Sequence, residues 1–441
     1  MKRFLAAAAL GVVMSAPFAA SAETDASVLA ELERLRGQVA ALLQRVEQLE
    51  QSQPVPATVG APPTAGSAQA IESRLAAIEE ANDRQTDQLA QKLASAGAMD
   101  WARRIRWKGD LRYRHEQFDV EGAASDRVRH RLRGRFGLDA KISDSIGVGF
   151  QIATGEGRDA RSTNSTLDSA NQHEEIGLDL AYVDWTPRAG MLVTLGKQKQ
   201  PWFKAGNSLF FDGDVNPEGA AFLYGGKTGL FARAWGYWLE EMSAGADSNV
   251  LGGQLGFAFG NGLTVAAGYW DYGAIQDQPA LAFSGSPAGN SSYAAAADCV
   301  GAGLLRCYAY DYNVAIADLQ WAGTLGSRPL TLFGSYMENF DPDELNTGYN
   351  FGFLYGKASD PHTWEFGVLY QDVERDAQLG AFLDSDFADG ATQGKGVVLS
   401  GAWAPVKNVN LKATYFINDR NYDTPTEAEY ERLQLDLNYK F

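Results

Sequence analysis

Arginine stands at every second position from Arg129 through Arg131 and Arg133 to Arg135, and Gly137, Asp139 and Lys141 continue the series. Val128, His130, Leu132, Gly134, Phe136, Leu138, Ala140 and Ile142 lie between and beside them. Side chains alternate across a strand, so this spacing stacks four guanidinium groups on one face and an apolar set on the other. The segment before it repeats the pattern, with Arg106, Lys108, Arg112 and Arg114 against Ile105, Trp107, Leu111 and Tyr113. Asp110, Glu116 and Asp139 interrupt this basic panel. Guanidinium stays charged at physiological pH, and its fork suits carboxylate and phosphate. A wall of this kind concentrates anions beside it. An arginine wall facing an acidic one, polarising water without strong selectivity, is the other reading.

A second constellation runs from Lys197 through Lys199 and Lys204 to Asp212, Asp214 and Glu218. Its basic start and acidic end would supply both signs at a narrowing. A calcium site on Asp212, Asp214 and Glu218 has suitable oxygen ligands but only a weak spacing signal. Cys299 and Cys307 are the only cysteines and sit close together in a Gly/Ala-rich stretch. In an exported chain that spacing predicts a local disulfide pinning a long loop. Catalysis has little to work with. The histidines are His115, His130, His173 and His362, and no Gly-x-Ser-x-Gly elbow occurs. No catalytic residues, metal or cofactor are assigned. Acids outnumber bases 55 to 38, which argues against a nucleic-acid partner.

The elements that must position these residues are strands. The chain closes on Leu433, Leu435, Leu437, Tyr439 and Phe441 alternating with Arg432, Gln434, Asp436, Asn438 and Lys440. From Trp101 onward the period is two, and about sixteen strands are expected, the first near 104–116 and the last near 431–441. Short turns, such as Ser143-Asp144-Ser145, Gly260-Asn261-Gly262 and Gly323 to Arg328, alternate with mostly long connections at 155–175, 198–218, 273–308 and 372–394. This is the layout of an antiparallel transmembrane β-barrel, all-β in class, with both chain ends on the periplasmic side. The apolar faces then meet lipid, because a basic side chain there costs about 2–4 kcal/mol at the midplane. Lys108, Arg112, Arg114 and the four arginines of the second strand are thereby expected to line the pore.

Ahead of the barrel, residues 1–22 read as a signal peptide: Lys2 and Arg3, an apolar run from Phe4 to Met14, and Ala20-Ser21-Ala22 at the cleavage site. Residues 23–52 carry a heptad seam through Val28, Leu32, Leu35, Val39, Leu42, Val46 and Leu49, a periplasmic α-helical coiled coil. A Pro/Gly/Ala-rich linker at 53–69 leads to a second amphipathic helix at 70–100, with Asn82 at a seam position. The barrel occupies 101–441.

The coiled coil, the tryptophan-started first strand, the stretches "GKQKQPWF" and "FFDGDVNPEG" and the closing aromatic together resemble the "putative porin" family of Proteobacteria. More loosely they are similar to phosphate-selective and polyanion porins. The resemblance implies an outer-membrane diffusion channel, often a homotrimer, while the seam residues by themselves lean towards a dimer. In general porins the third long loop folds into the barrel and narrows it. The expected partners are outer-membrane lipid and lipopolysaccharide, the barrel assembly machinery through the last strand, and small anionic solutes. A structural protein tethering the envelope through its coiled coil is the alternative to a channel.

Overall fold

A closed sheet is the solution that this alternation requires. In the computed structural model, which describes residues 84, 87–88, 104–155, 159–168, 170–243, 246–281, 286–294 and 306–441, nineteen strands follow one another. They are β1 (Ile105–Val120), β2 (Arg127–Lys141), β3 (Ile146–Thr154), β4 (Ser165–Thr166), β5 (Ile176–Trp185), β6 (Met191–Lys197), β7 (Glu218–Tyr224), β8 (Gly229–Glu240), β9 (Ser248–Ala258) and β10 (Leu263–Gly273). There follow β11 (Ser292–Ala294), β12 (Arg306–Tyr308), β13 (Tyr312–Leu325), β14 (Arg328–Asn339), β15 (Thr347–Gly356), β16 (Thr363–Val373), β17 (Gly394–Ala404), β18 (Val409–Arg420) and β19 (Ala428–Lys440). All except the short β4, β11 and β12 build one antiparallel barrel of sixteen strands, each paired to its neighbours in sequence, and β19 pairs with β1 to close it. The expected signal peptide, coiled coil, linker and second helix lie outside the described residues, apart from isolated positions 84, 87 and 88.

Strand ends shift from their expected places. β1 continues to Val120, and β19 begins at Ala428. The expected short turn from Gly323 to Arg328 shrinks to Gly326-Ser327, because Leu325 pairs with Arg328 and Gly326 takes φ +62°. The ladder absorbs Gly323, Thr324 and Leu325, which the turn composition had suggested were loop. β2 outlasts β3, and its upper part pairs instead with β4, borrowed from the connection at 155–175.

The barrel is apolar outside and polar inside, the reverse of a soluble fold. Trp107, Leu251, Leu255 and Phe351 each leave more than half of their surface exposed, whereas Arg114, Arg432, Gln371 and Gln434 are buried. An exposed apolar band of this extent needs a non-aqueous surround, and closure leaves no unpaired edge within it. Inside, loops fill much of the lumen. An aromatic core of Trp235, Trp270, Tyr272 and Tyr312 from the wall packs with Phe210, Phe211 and Leu379 from the loops.

Closure depends on a glycine. Gly109 and Phe441 exchange both backbone hydrogen bonds at 3.1 Å, and a Cβ on Gly109 would lie 2.4 Å from the Phe441 ring. Gly109→Val should therefore destabilise the folded barrel by about 1–3 kcal/mol through overpacking at this seam. Gly177→Val, whose Cβ would meet open space, should change it by less than about 0.5 kcal/mol. Urea unfolding in vesicles, followed by tryptophan fluorescence, measures both.

Candidate functional site

Register sets the electrostatic problem. Across β1 and β2, Arg112 lies opposite Arg133 and Arg114 opposite Arg131, while Asp110 faces Arg135 and Glu116 faces Arg129. Like charges directly opposite are destabilising unless something compensates them. Carboxylates do so here. Asp110 accepts from Arg133 Nε at 2.9 Å and from Arg135 Nε at 2.7 Å. Arg114 forks onto Asp436, Nε and Nη2 donating at 2.6 and 2.9 Å. Glu116, fully buried, takes Arg129 at 2.5 Å and also Arg432 from β19. Lower on the wall Lys108 meets Asp139 at 2.5 Å, and the largely exposed Arg106 lies 3.7 Å from the same carboxylate. Arg131 is buried and donates to the Asn164 carbonyl and the Ser162 hydroxyl.

Arg112 and Lys412 escape this neutralisation. Arg112 donates through Nε and Nη2 to the amide oxygen of Asn164, at 3.2 and 2.6 Å, and forms no ion pair among the described residues. Lys412 of β18 is exposed and has no hydrogen-bond partner among the described residues. Both line a cavity of about 450 Å³ together with Arg114, Arg133, Arg135 and Lys440, against the carboxylates Glu365 and Asp436. Six cations thus face two acids across it.

The third long loop, residues 198–217 between β6 and β7, folds into the lumen. Inward-facing amides of three strands and a carboxylate of a fourth hold it. Phe203 N–H donates to Gln254 of β9 at 2.7 Å, and Gln254 returns a bond to the Phe203 carbonyl at 3.0 Å. Gly206 N–H donates to Gln320 of β13 at 2.8 Å, Asn350 of β15 to Ser208 at 2.8 Å, and Asn216 to Asp179 of β5 at 2.6 Å. At Gly206 (φ +52°) a Cβ would sit 2.2 Å from the Phe333 ring, so glycine is required there. The loop lies inside the barrel, as in general porins.

The acidic end of that loop meets the loop at 374–393, which carries Asp384 and Asp386. Asp212 accepts the backbone N–H of Ser385 at 2.9 Å and that of Asp214 at 2.8 Å. Asp214 reaches Arg135 at 3.3 Å, and Asp386 takes Arg114 at 3.0 Å and Arg432 at 2.7 Å. Burial disfavours the Asp386 anion, but Arg432 and Arg114 outweigh it and hold the carboxyl well below the usual carboxylate range. Burial, with Arg133 and Arg135 acting against it, leaves Asp214 below that range too. Asp212 goes the other way: burial, then the neighbouring Asp384 and Asp214 charges, push it well above. Asp384 is pushed up to about 6 by burial and by Asp386. Lys204 donates to the Phe211 carbonyl at 3.1 Å, and burial lowers its pKa despite Asp384 and Asp212.

Not every expected residue belongs to this constriction. Lys197 and Glu218 pair with each other at 2.6 Å across the rim ends of β6 and β7, and Glu218 is in register with the outward, two-thirds-exposed Trp238. They sit at the long-loop rim, whereas Lys204, Asp212 and Asp214 lie in the part of the loop that folds inward. The three acids of the suggested calcium site point to different partners, and no cluster of three or more metal-ligating side chains occurs among the described residues. Cys307 is buried and disulfide-bonded, while Cys299 lies outside the described residues. His130 is 2.9 Å from the Tyr113 hydroxyl on the outer face and packs beside His115. Sequence reasoning put Arg432 and Asp436 on a polar face without seeing their role, although their alternation with leucine was the available signal. Asp384 and Asp386 gave no signal, since their loop has no period.

A sixteen-stranded barrel narrowed from within by its loops and lined with paired charges is a porin-type fold. The chain matches the family model described as "Putative porin" over residues 117–296 and 306–441, and it belongs to that family. It is a transmembrane β-barrel of the outer membrane. Among solved structures, OprB of Pseudomonas putida at high pH is similar, with 10% identity, a TM-score of 0.51, and 76% of this chain and 94% of that one covered. OmpF of Salmonella typhi, in complex with daunomycin, shares 12% identity at a TM-score of 0.47, over 76% and 97% of the two chains. No curated protein matches the sequence.

The Asp384 carboxyl provides a pH test. With its pKa raised to about 6, it is neutral at lower pH and becomes charged as pH rises through that value. The same sign means that the folded loop is favoured by protonation and loses that contribution as pH rises. Acidification from pH 7.5 to 5 should shift the zero-current potential of a planar bilayer towards anions. Asp384→Asn should already show part of the acid value at pH 7.5 and a smaller step on acidification, the rest coming from Asp212.

Proposed function

We propose that this porin is a passive diffusion channel for small hydrophilic solutes that prefers anions. The observation that carries the reading is the cavity along β1, β2, β18 and β19, where six cations face two carboxylates and Arg112 and Lys412 have no carboxylate partner among the described residues. The stacked arginines Arg129, Arg131, Arg133 and Arg135 are largely neutralised or buried, so they set the polarity of the wall. The net positive potential at the pore comes from Arg112, Lys412, Lys199 and Lys440. Aqueous screening over about 8–10 Å weakens such a potential without abolishing it.

In this reading the long loops face the outside, and the short turns and the N-terminal region face the periplasm. The barrel assembles as a homotrimer in lipid and lipopolysaccharide, delivered by the assembly machinery through β19. The arrangement of His130 with Tyr113 and His115 on the outer face supports an interfacial role rather than catalysis. Tethering through the coiled coil is compatible with a channel.

Replacing both Arg112 and Lys412 by glutamate should move the reversal potential in a KCl gradient towards cations, with a smaller effect in 1 M salt, where screening acts over about 3 Å. Arg133→Glu is a poorer test, because it would leave Asp110 beside a second carboxylate and perturb folding. An unchanged potential for the double variant in low salt would sink the anion reading. Orientation is tested separately by single cysteines introduced on intact cells, Ala160→Cys being labelled and Asn408→Cys not. A detergent-solubilised mass of one protomer would rule out the trimer.

A further inference from the structure

Within the cavity of about 450 Å³ along β1, β2, β18 and β19, several charges already answer one another. Arg114 forks onto Asp436, Arg133 and Arg135 share Asp110, and Arg135 also reaches Asp214. The lining charges left over are Arg112, Lys412, Lys440 and Glu365, which form no ion pair among the described residues. Three cations against one carboxylate leave two positive charges in surplus. Lys412 and Lys440 are exposed, and Arg112 and Glu365 are half-buried, so these groups reach the water of the lumen. Asn164 occupies two of the three guanidinium nitrogens of Arg112, which leaves Nη1 for a ligand.

Register keeps Arg112 and Lys412 apart. Arg112 of β1 is level with Asn438 of β19, whereas Lys412 of β18 is level with Asp436. They are therefore two strands and one inward step apart. With strands about 4.8 Å apart and like-facing residues about 6.8 Å apart along a strand, their Cα atoms are separated by roughly 12 Å. Arg112 is also turned away from β18. Its two bonds run to the buried Asn164, next to β4, which pairs with β2. The Arg114–Asp436 pair and the half-buried Asn438 lie between the two cations. Glu365 of β16 stands beyond Lys412, across Ala402 of β17.

We propose that this cavity binds a short dicarboxylate, one carboxylate on Arg112 and the other on Lys412; the inference rests on the anion reading and narrows it to a substrate class. Guanidinium and ammonium groups both hold carboxylate through charge-assisted hydrogen bonds. A monocarboxylate leaves one of the two cations unanswered. A compact oxyanion such as phosphate meets one of them in full contact and not both, because Asn164 fixes Arg112 on the β2 side. Carboxylates at the two ends of a flexible chain answer both, and such a dianion matches the surplus of two positive charges. Lys440 adds positive potential at the lower edge of the cavity. Glu365 repels a chain that overreaches Lys412, which limits the length from that side.

Inhibition of the KCl current tests this, with the full-length protein in planar bilayers at pH 7.5 and constant ionic strength. Succinate, glutarate and adipate are compared with acetate and inorganic phosphate. At least one dicarboxylate should half-inhibit at a concentration about tenfold or more below those of acetate and phosphate, the size expected for one added charge-assisted contact. Lys412→Gln removes an exposed charge that holds nothing else in place, so the barrel should keep its β-sheet spectrum. In that variant the dicarboxylate advantage over acetate should disappear, while acetate itself changes by less than about threefold. Dicarboxylates acting no more strongly than acetate or phosphate would overturn the proposal, as would an undiminished advantage in Lys412→Gln. The wild-type reversal potential in a KCl gradient separates the two readings. Anion preference without dicarboxylate preference would overturn this site alone. Cation preference with the dicarboxylate inhibition and its loss in Lys412→Gln intact would overturn the anion reading and support the site.

Discussion

Backbone hydrogen bonding in a non-aqueous surround governs everything else in this molecule. A strand that crosses lipid must satisfy each N–H and C=O within the sheet, and only closure removes the two edges. Once β19 pairs with β1, each wall residue has one of two surroundings, fixed by the parity of its position. That parity turns a sequence of alternating leucine and charge into a greasy exterior and a charged interior. It also fixes which arginines can meet. Arg112 and Arg133 are neighbours because the β1–β2 register makes them so, not because the pair is favourable.

The interior therefore had to solve a charge problem that the exterior created. Stacked arginines are tolerable because carboxylates arrive from three directions: Asp110 and Glu116 from β1 itself, Asp436 from β19, and Asp214 and Asp386 from loops folded inward. The same ion pairs that quieten the wall also anchor the loops to it. Arg114 and Arg432 both hold Asp386, so removing either cation would loosen a loop as well as change a charge. Constriction and electrostatics are thus one network.

Much of this could be read in the sequence, for a physical reason. Period-two alternation is local, so strand number, the inward face of β2 and the alternation of short and long connections followed directly from residue types. Even the third loop announced itself through its clustered charges. What was not legible is what depends on contacts distant in sequence. Arg112 and Arg133 look equivalent along the chain, yet Asp110 takes Arg133 and leaves Arg112 to an amide. Lys197 looks like Lys199, but the register of β6 with β7 gives it Glu218 at the rim. Asp384 and Asp386 sit in a segment without period, and only the fold carries them to the basic wall. Trp202, Trp235 and Trp270 are far apart in sequence and gave no sign of meeting.

The loops divide the lumen into two chemically distinct sides. On the β1, β2 and β19 side, charge is dense, and water or ions must complete whatever the carboxylates leave open. On the β8 to β10 side, aromatic rings from the wall and the third loop pack like the core of a soluble domain. Gln254 of β9 and Gln320 of the adjoining β13 hold the third loop's backbone from this second side, while Asp214 near its end reaches the first. One segment thus bridges an apolar anchor and a charged surface. The apolar side fixes its position, so that its acids can be set against arginines with hydrogen-bond accuracy. A loop held only by ion pairs would swing with ionic strength, whereas one seated on tryptophan and phenylalanine keeps the narrowing in place while the charges along it act on what passes.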